Sequence, residues 1–177
     1  MRAVDFYMES INNQKANPKA YMCEDYEQFR AGKCAECGNN NEKCVTMGTG
    51  VLDYKERVKD LSYSTGRRFF MTTDSEQPFF KKQYLIEVKL GPNSDQRGKF
   101  SMKFTDQDGN TEDLDFQKSE EQLHSSRTYS ELFVFSTDPQ EITEVEFHWT
   151  HLGIIGHLFH AKIHVDDITF IDLSTDR

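Results

Sequence analysis

The chain has 177 residues, 29% of them charged, a formal net charge of −9 and a mean hydropathy of −0.74. Residues 1–50 hold six Lys/Arg against seven Asp/Glu, so −8 of the −9 falls on residues 51–177. That acidity argues against nucleic acid, heparin and anionic membrane as partners, each of which demands a basic footprint. No apolar run reaches the length of a transmembrane helix.

The first eleven residues, Met1 to Ile11, read as an amphipathic helix with Val4, Met8 and Ile11 on one face. Asp5 and Glu9 fall inside it and no hydrophobic signal-peptide core is present. All four cysteines follow, as Cys23-x10-Cys34-x2-Cys37-x6-Cys44. Four cysteines allow three disulfide pairings, and local pairing would close two short loops in a segment with little apolar content. Disulfides persist in oxidising, extracytoplasmic surroundings. The competing reading is zinc: Cys34-x2-Cys37 has the spacing of half a zinc knuckle, but Cys23 and Cys44 form no second close pair. Spacing alone leaves both open, and a zinc-binding intracellular domain is the function class that goes with the second.

The flanks of the cysteines carry a resemblance. The run Ala20-Tyr21-Met22-Cys23-Glu24-Asp25-Tyr26-Glu27-Gln28-Phe29, then Gly32-Lys33-Cys34-Ala35-Glu36-Cys37, Cys44 and Met47-Gly48, closely resembles the end of the catalytic domain in the pancreatic lipase family. Gly66 to Asp74 resembles the strand that leads into the second domain of those lipases. The remainder is similar, as a pattern of strands, to their C-terminal β-sandwich, the PLAT domain. The resemblance implies pairing of Cys23 with Cys34 and of Cys37 with Cys44. It also implies a secreted, extracellular carboxylic ester hydrolase as parent, acting on triacylglycerol or phospholipid. The family's nucleophilic serine, aspartate and histidine would all precede Met1, and no Gly-x-Ser-x-Gly elbow occurs in the chain. No catalytic residue is therefore assigned, and the chain alone is expected to be inactive. An oxidised chain with no signal peptide would need a start upstream of Met1.

From about residue 67 short β-prone runs alternate with turn signals, the mark of an antiparallel sandwich. Strands are expected at Arg67–Thr73, Gln83–Leu90, Lys99–Thr105, Glu112–Gln117, Tyr129–Ser136, Glu141–Thr150 and Phe159–Leu173. In Lys99–Thr105, Phe100, Met102 and Phe104 share one face, as a half-buried strand requires. The fold expected is mainly β: a short helical, disulfide-bonded remnant of an α/β-hydrolase domain over 1–66, then a PLAT-type antiparallel β-sandwich of two four-stranded sheets over 67–177.

The most apolar stretch joins the last two strands, Trp149 to Phe159. Trp149, Leu152, Ile154, Ile155, Leu158 and Phe159 are the candidate lipid- or partner-binding residues, because an exposed apolar patch with a polar rim marks such a contact. The resemblance implies the same, since the family's corresponding loop engages lipid particles. The bland alternative is that Ile154 and Ile155 plug the sandwich end. Five of the six histidines lie between His148 and His164. A metal site or pH-sensitive patch there competes with a solvated outer face, and the latter is favoured because Phe147 and Trp149 take the inward positions. Asp106 to Asp113 imitates the opening of a calcium loop, yet its flanks are strands, so a glycine-bearing hairpin turn is expected, with weak calcium binding the most such a turn would offer. Asp166-Asp167 reads as a bulge in the final strand. No metal ligand set or cofactor is assigned. The partners expected are a lipid interface or a colipase-like protein, together with an upstream lipase domain. The reading set against this one is a stand-alone secreted PLAT-type interaction module with no enzymatic parent.

Overall fold

A computed structural model describes residues 2–13, 19–59, 66–117, 119–135, 139–151 and 162–173. The elements in chain order are α1 (Arg2–Asn12), β1 (Lys19–Met22), α2 (Tyr26–Arg30), β2 (Cys44–Thr46), α3 (Gly50–Val58), β3 (Phe69–Phe70), β4 (Lys82–Leu90), β5 (Arg97–Asp106), β6 (Thr111–Asp115), β7 (Glu121–Gln122), β8 (Thr128–Phe135), β9 (Ile142–His151) and β10 (Val165–Asp172). The protein is mainly β and its β1–β2, β1–β3, β5–β6, β5–β7 and β5–β9 ladders are antiparallel. It divides into two compact units. The first takes residues 1–85, 132–136 and 171–177; the second takes 86–131 and 137–170.

The first unit is built around its cysteines. The bridges are Cys23–Cys34 and Cys37–Cys44, with Cα–Cα separations of 5.7 and 4.8 Å, the pairing that the resemblance implies. No described cysteine is left as a thiol, so the thiolates a zinc knuckle requires are gone. Closing loops of 11 and 7 residues removes chain entropy from the unfolded state worth roughly 2.5–3 kcal/mol per bridge. Three bridged cysteines, Cys23, Cys37 and Cys44, enter one buried cluster with Tyr21, Phe29, Leu85, Leu132, Ile171 and Leu173. Phe29 reaches it from α2, a single helical turn started by Asp25, whose carboxylate accepts the Gln28 N–H at 2.8 Å. That bond holds the Asp25 carboxyl below its usual range. A three-stranded sheet of order β2-β1-β3 backs the cluster.

Helix α1 buries a different face from the one its periodicity suggests. Phe6 meets Phe79 edge-on at 4.5 Å and Phe80 at 5.9 Å. Beside it, the Glu9 carboxylate accepts the backbone N–H groups of both Phe79 and Phe80, each at 3.0 Å. Ser10 is buried and donates to the Tyr7 carbonyl. Val4, Tyr7 and Met8 are instead 54%, 53% and 52% exposed. Two aromatic rings and two charge-assisted hydrogen bonds outweigh a few aliphatic contacts, and they set the helix's rotation.

In the second unit β5 is the organising strand. It pairs with β6 and β7 along one edge and with β9 along the other, as a four-stranded sheet. Its burial alternates residue by residue, so Phe100, Met102 and Phe104 go inward, as the period-two pattern requires. Strands β10, β4 and β8, in that order, form a separate three-stranded sheet among the described residues, where the sequence pattern suggests four. Ile86, Val88 and Leu90 of β4 are fully buried. The final strand is shorter than Phe159–Leu173: it begins at Val165.

Candidate functional site

Of the candidate contact residues, the structure places Trp149, in β9 of the second unit. Of the six, only Trp149 falls among the described residues; Leu152, Ile154, Ile155, Leu158 and Phe159 lie outside them. Trp149 stands directly opposite Phe100 of β5, and its indole is partly buried. It leans toward Gly98: a Cβ there would lie 2.9 Å from the indole nitrogen and would collide with the Thr150 carbonyl. Glycine is needed at 98 for this close approach. The indole N–H is buried with no hydrogen-bond partner among the described residues. Phe147, two residues back, stacks on Phe100 at 5.2 Å. Val145 opposes Phe104 and is 42% exposed, while Phe170 of β10 meets Phe104 edge-on at 5.7 Å and is 38% exposed. Strands β9 and β10 thus keep large apolar side chains at the surface.

The other face of β9 is polar. His148 Nε2 lies 3.2 Å from one Glu146 carboxylate oxygen, and Lys103 Nζ lies 3.9 Å from the other. These are solvent-facing contacts, and no group of three His, Cys, Asp or Glu side chains converges to hold a metal among the described residues. Asp106 organises the next hairpin. One carboxylate oxygen accepts the Asp108 and Asn110 N–H groups at 2.9 and 2.8 Å, and the other accepts Asn110 Nδ2 at 2.9 Å. Its carboxylate closes the turn that the Gly109 signal marks.

One cluster missed by sequence reasoning brings Ser, His and Asp together. Ser125 donates its hydroxyl straight to the Asp95 carboxylate, and His124 Nδ1 sits 3.7 Å from that same carboxylate. A nucleophilic relay needs the histidine between serine and carboxylate; here the serine hydroxyl faces the acid directly and the histidine contacts that same acid. The arrangement fastens loops instead. Ser125 Oγ accepts the Ser94 N–H at 2.9 Å, and the fully buried Ser94 hydroxyl accepts the His164 N–H at 2.9 Å. The hydrogen bonds from Ser125 hold the Asp95 carboxyl below its usual range.

Residues 1–79 match the protein-family model described as Lipase. Lipase member H of Oryctolagus cuniculus is 24% identical over 162 residues, covering 91% of this chain and 35% of that protein. Pancreatic lipase-related protein 3 of Homo sapiens is 30% identical over 149 residues, covering 84% and 30%. Hepatic triacylglycerol lipase of Oryctolagus cuniculus is 27% identical over 172 residues, covering 90% and 30%. The chain belongs to the pancreatic lipase family. It spans about a third of the length of the curated family members it matches. The matched residues 1–79 take in both disulfides and α1 to α3. The alignments to lipase member H and hepatic triacylglycerol lipase, at about nine-tenths of this chain, reach into the second unit as well.

Proposed function

We infer that this chain is the lipid-interface or partner-docking part of a secreted, pancreatic-lipase-like carboxylic ester hydrolase, with the second unit a PLAT-type sandwich. Two disulfides, which last only in oxidising compartments, support secretion. The observation that carries docking is the surface of β9 and β10. Val145 and Phe170 are exposed, Phe147 and Trp149 are only partly covered, and the segment joining these two strands holds Leu152, Ile154, Ile155, Leu158 and Phe159. Burying such side chains at a lipid or protein interface supplies roughly 1.5–3 kcal/mol for each one fully covered. In this reading the chain alone carries out no ester hydrolysis: its sequence holds no Gly-x-Ser-x-Gly elbow, and in the cluster of Ser125, His124 and Asp95 the serine hydroxyl faces the acid.

Flotation with a neutral lipid emulsion tests the reading, comparing the 177-residue protein with an Ile154→Asp/Ile155→Asp variant. The wild type is expected to float and the variant to stay in solution. If neither floats, lipid docking is wrong and a colipase-like protein becomes the partner to seek. Esterase turnover by the pure chain would overturn the non-catalytic assignment.

A further inference from the structure

The segment that holds Leu152 to Phe159 leaves β9 at His151 and rejoins the described residues at Lys162. Within the second unit, both of its stems are tied to one stretch, Gly91 to Gly98, which leads from β4 into β5. At the outgoing stem Gly98 stands opposite His151, and its missing side chain makes room for the Trp149 indole. At the returning stem Ser94 holds His164 by both backbone groups. The Ser94 hydroxyl accepts the His164 N–H at 2.9 Å and donates to the His164 carbonyl at 3.3 Å. The Gly91 N–H meets that same carbonyl at 2.8 Å.

Ser94 is fully buried, and it is itself held in place. Its N–H donates to Ser125 Oγ at 2.9 Å, and Ser125 passes its own hydroxyl proton to Asp95. The Ser125 N–H reaches the other Asp95 oxygen at 3.3 Å. A serine hydroxyl has one proton to give and lone pairs to accept with. With Asp95 taking that proton, the Ser125 oxygen is left facing Ser94 as an acceptor. The N–H of His164, the N–H of Ser94 and the hydroxyl of Ser125 thus all point along one line toward the Asp95 carboxylate, whose charge strengthens the last bond. A connection with both stems fixed samples fewer arrangements than one with a loose stem, so it gives up less freedom on meeting a surface. Resting on the docking reading above, we propose that Ser94 is the positioning residue of the docking surface: held by Ser125 and Asp95, it fixes where the apolar segment returns to the second unit at His164.

The test titrates the whole chain with an emulsion of triacylglycerol and phosphatidylcholine and reads bound protein by flotation. Ser94→Ala and Ser125→Ala should each weaken binding by about tenfold. Ser125→Thr keeps the hydroxyl and should stay within about twofold of wild type. Asp106→Ala removes three hydrogen bonds from a different turn of the same unit and should also stay within about twofold, which separates positioning from a general loss of stability. In Ser94→Ala the His164 amide should exchange with solvent at least about tenfold faster than in wild type. Unchanged far-ultraviolet circular dichroism establishes that each variant is folded; if Ser94→Ala does not fold, Ser125→Ala, at a less buried position, carries the test. Wild type and the folded alanine variants floating alike, equal loss in Asp106→Ala, or wild-type protection at His164 overturns this inference alone. Failure of the wild type to float overturns the docking reading, and this inference with it.

Discussion

Tyr21 donates its phenolic hydroxyl to the carbonyl of Leu173 at 2.6 Å, across 152 residues of sequence. Both groups are buried in the disulfide-lined core of the first unit, so this bond joins β1 to the chain just beyond β10. Tyr21→Phe keeps the ring and deletes the donor, leaving a buried carbonyl short of one partner. The expected loss is about 1–2 kcal/mol, read as a lower urea midpoint with an unchanged slope. An unchanged midpoint would show that the bond contributes nothing net.

Glu9 is the polar half of the α1 lock. Glu9→Ala strands the N–H groups of Phe79 and Phe80, and a buried donor left without its charged partner costs about 1–3 kcal/mol. Glu9→Gln retains one acceptor oxygen and should lose about half as much. Hydrogen exchange at Phe79 and Phe80 gives the direct reading: both amides should exchange faster in Glu9→Ala, with the second unit unaffected.

Gly98 is held to glycine by Trp149 and the Thr150 carbonyl. Gly98→Ala forces the β5–β9 ladder apart at that point and should destabilise by about 1–3 kcal/mol, the usual range for overpacking. The Trp149 fluorescence maximum should shift to the red as water reaches the indole. Because this chain holds a single tryptophan, the signal needs no deconvolution.

Asp74 forms an ion pair with Lys81, and hydrogen bonding from that ammonium, then from Ser75, holds its carboxyl below the usual carboxylate range. A carboxyl depressed in the folded state contributes stability that is complete above its unfolded pKa and fades as pH falls through the folded one. Asp74→Asn should therefore cost a few tenths to about 1 kcal/mol at neutral pH, as partly exposed pairs do. The difference from wild type should vanish in acid. A gap that stays constant down to the acid limit would assign the effect to shape rather than charge.

The strands of the second unit were legible because period-two alternation is local information. Phe100, Met102 and Phe104 go inward in the structure as in the pattern, and Glu141–Thr150 becomes β9 with a shift of one residue at each end. The existence of α1 was equally readable, but its buried face was not. Val4, Met8 and Ile11 form the regular apolar stripe, yet Phe79 and Phe80, some 70 residues away, decide which side packs. Helix α3 escaped notice because its apolar residues do not make a stripe: Leu52 points to solvent while Tyr54 is buried, flanked by the guanidinium groups of Arg57 and Arg67 at 5.8 and 5.9 Å. The Asp95–Ser125–Ser94 fastening has no sequence signal at all, since loop residues some 30 apart meet only when the strands are in place.

The two bridges and the core they line differ in when they can be made. Each bridge joins cysteines 11 or 7 residues apart, so both pairs are complete as soon as residue 44 has left the ribosome. The hydrophobic cluster around them waits for Ile171 and Leu173, about 130 residues downstream. For that interval of synthesis the crosslinked loops have no finished interior to direct them, and closeness along the chain is what selects the partners. A chain arrested before β10 should therefore already carry the native pairing while remaining fully sensitive to protease, which mass mapping of ribosome-stalled intermediates under oxidising conditions can read.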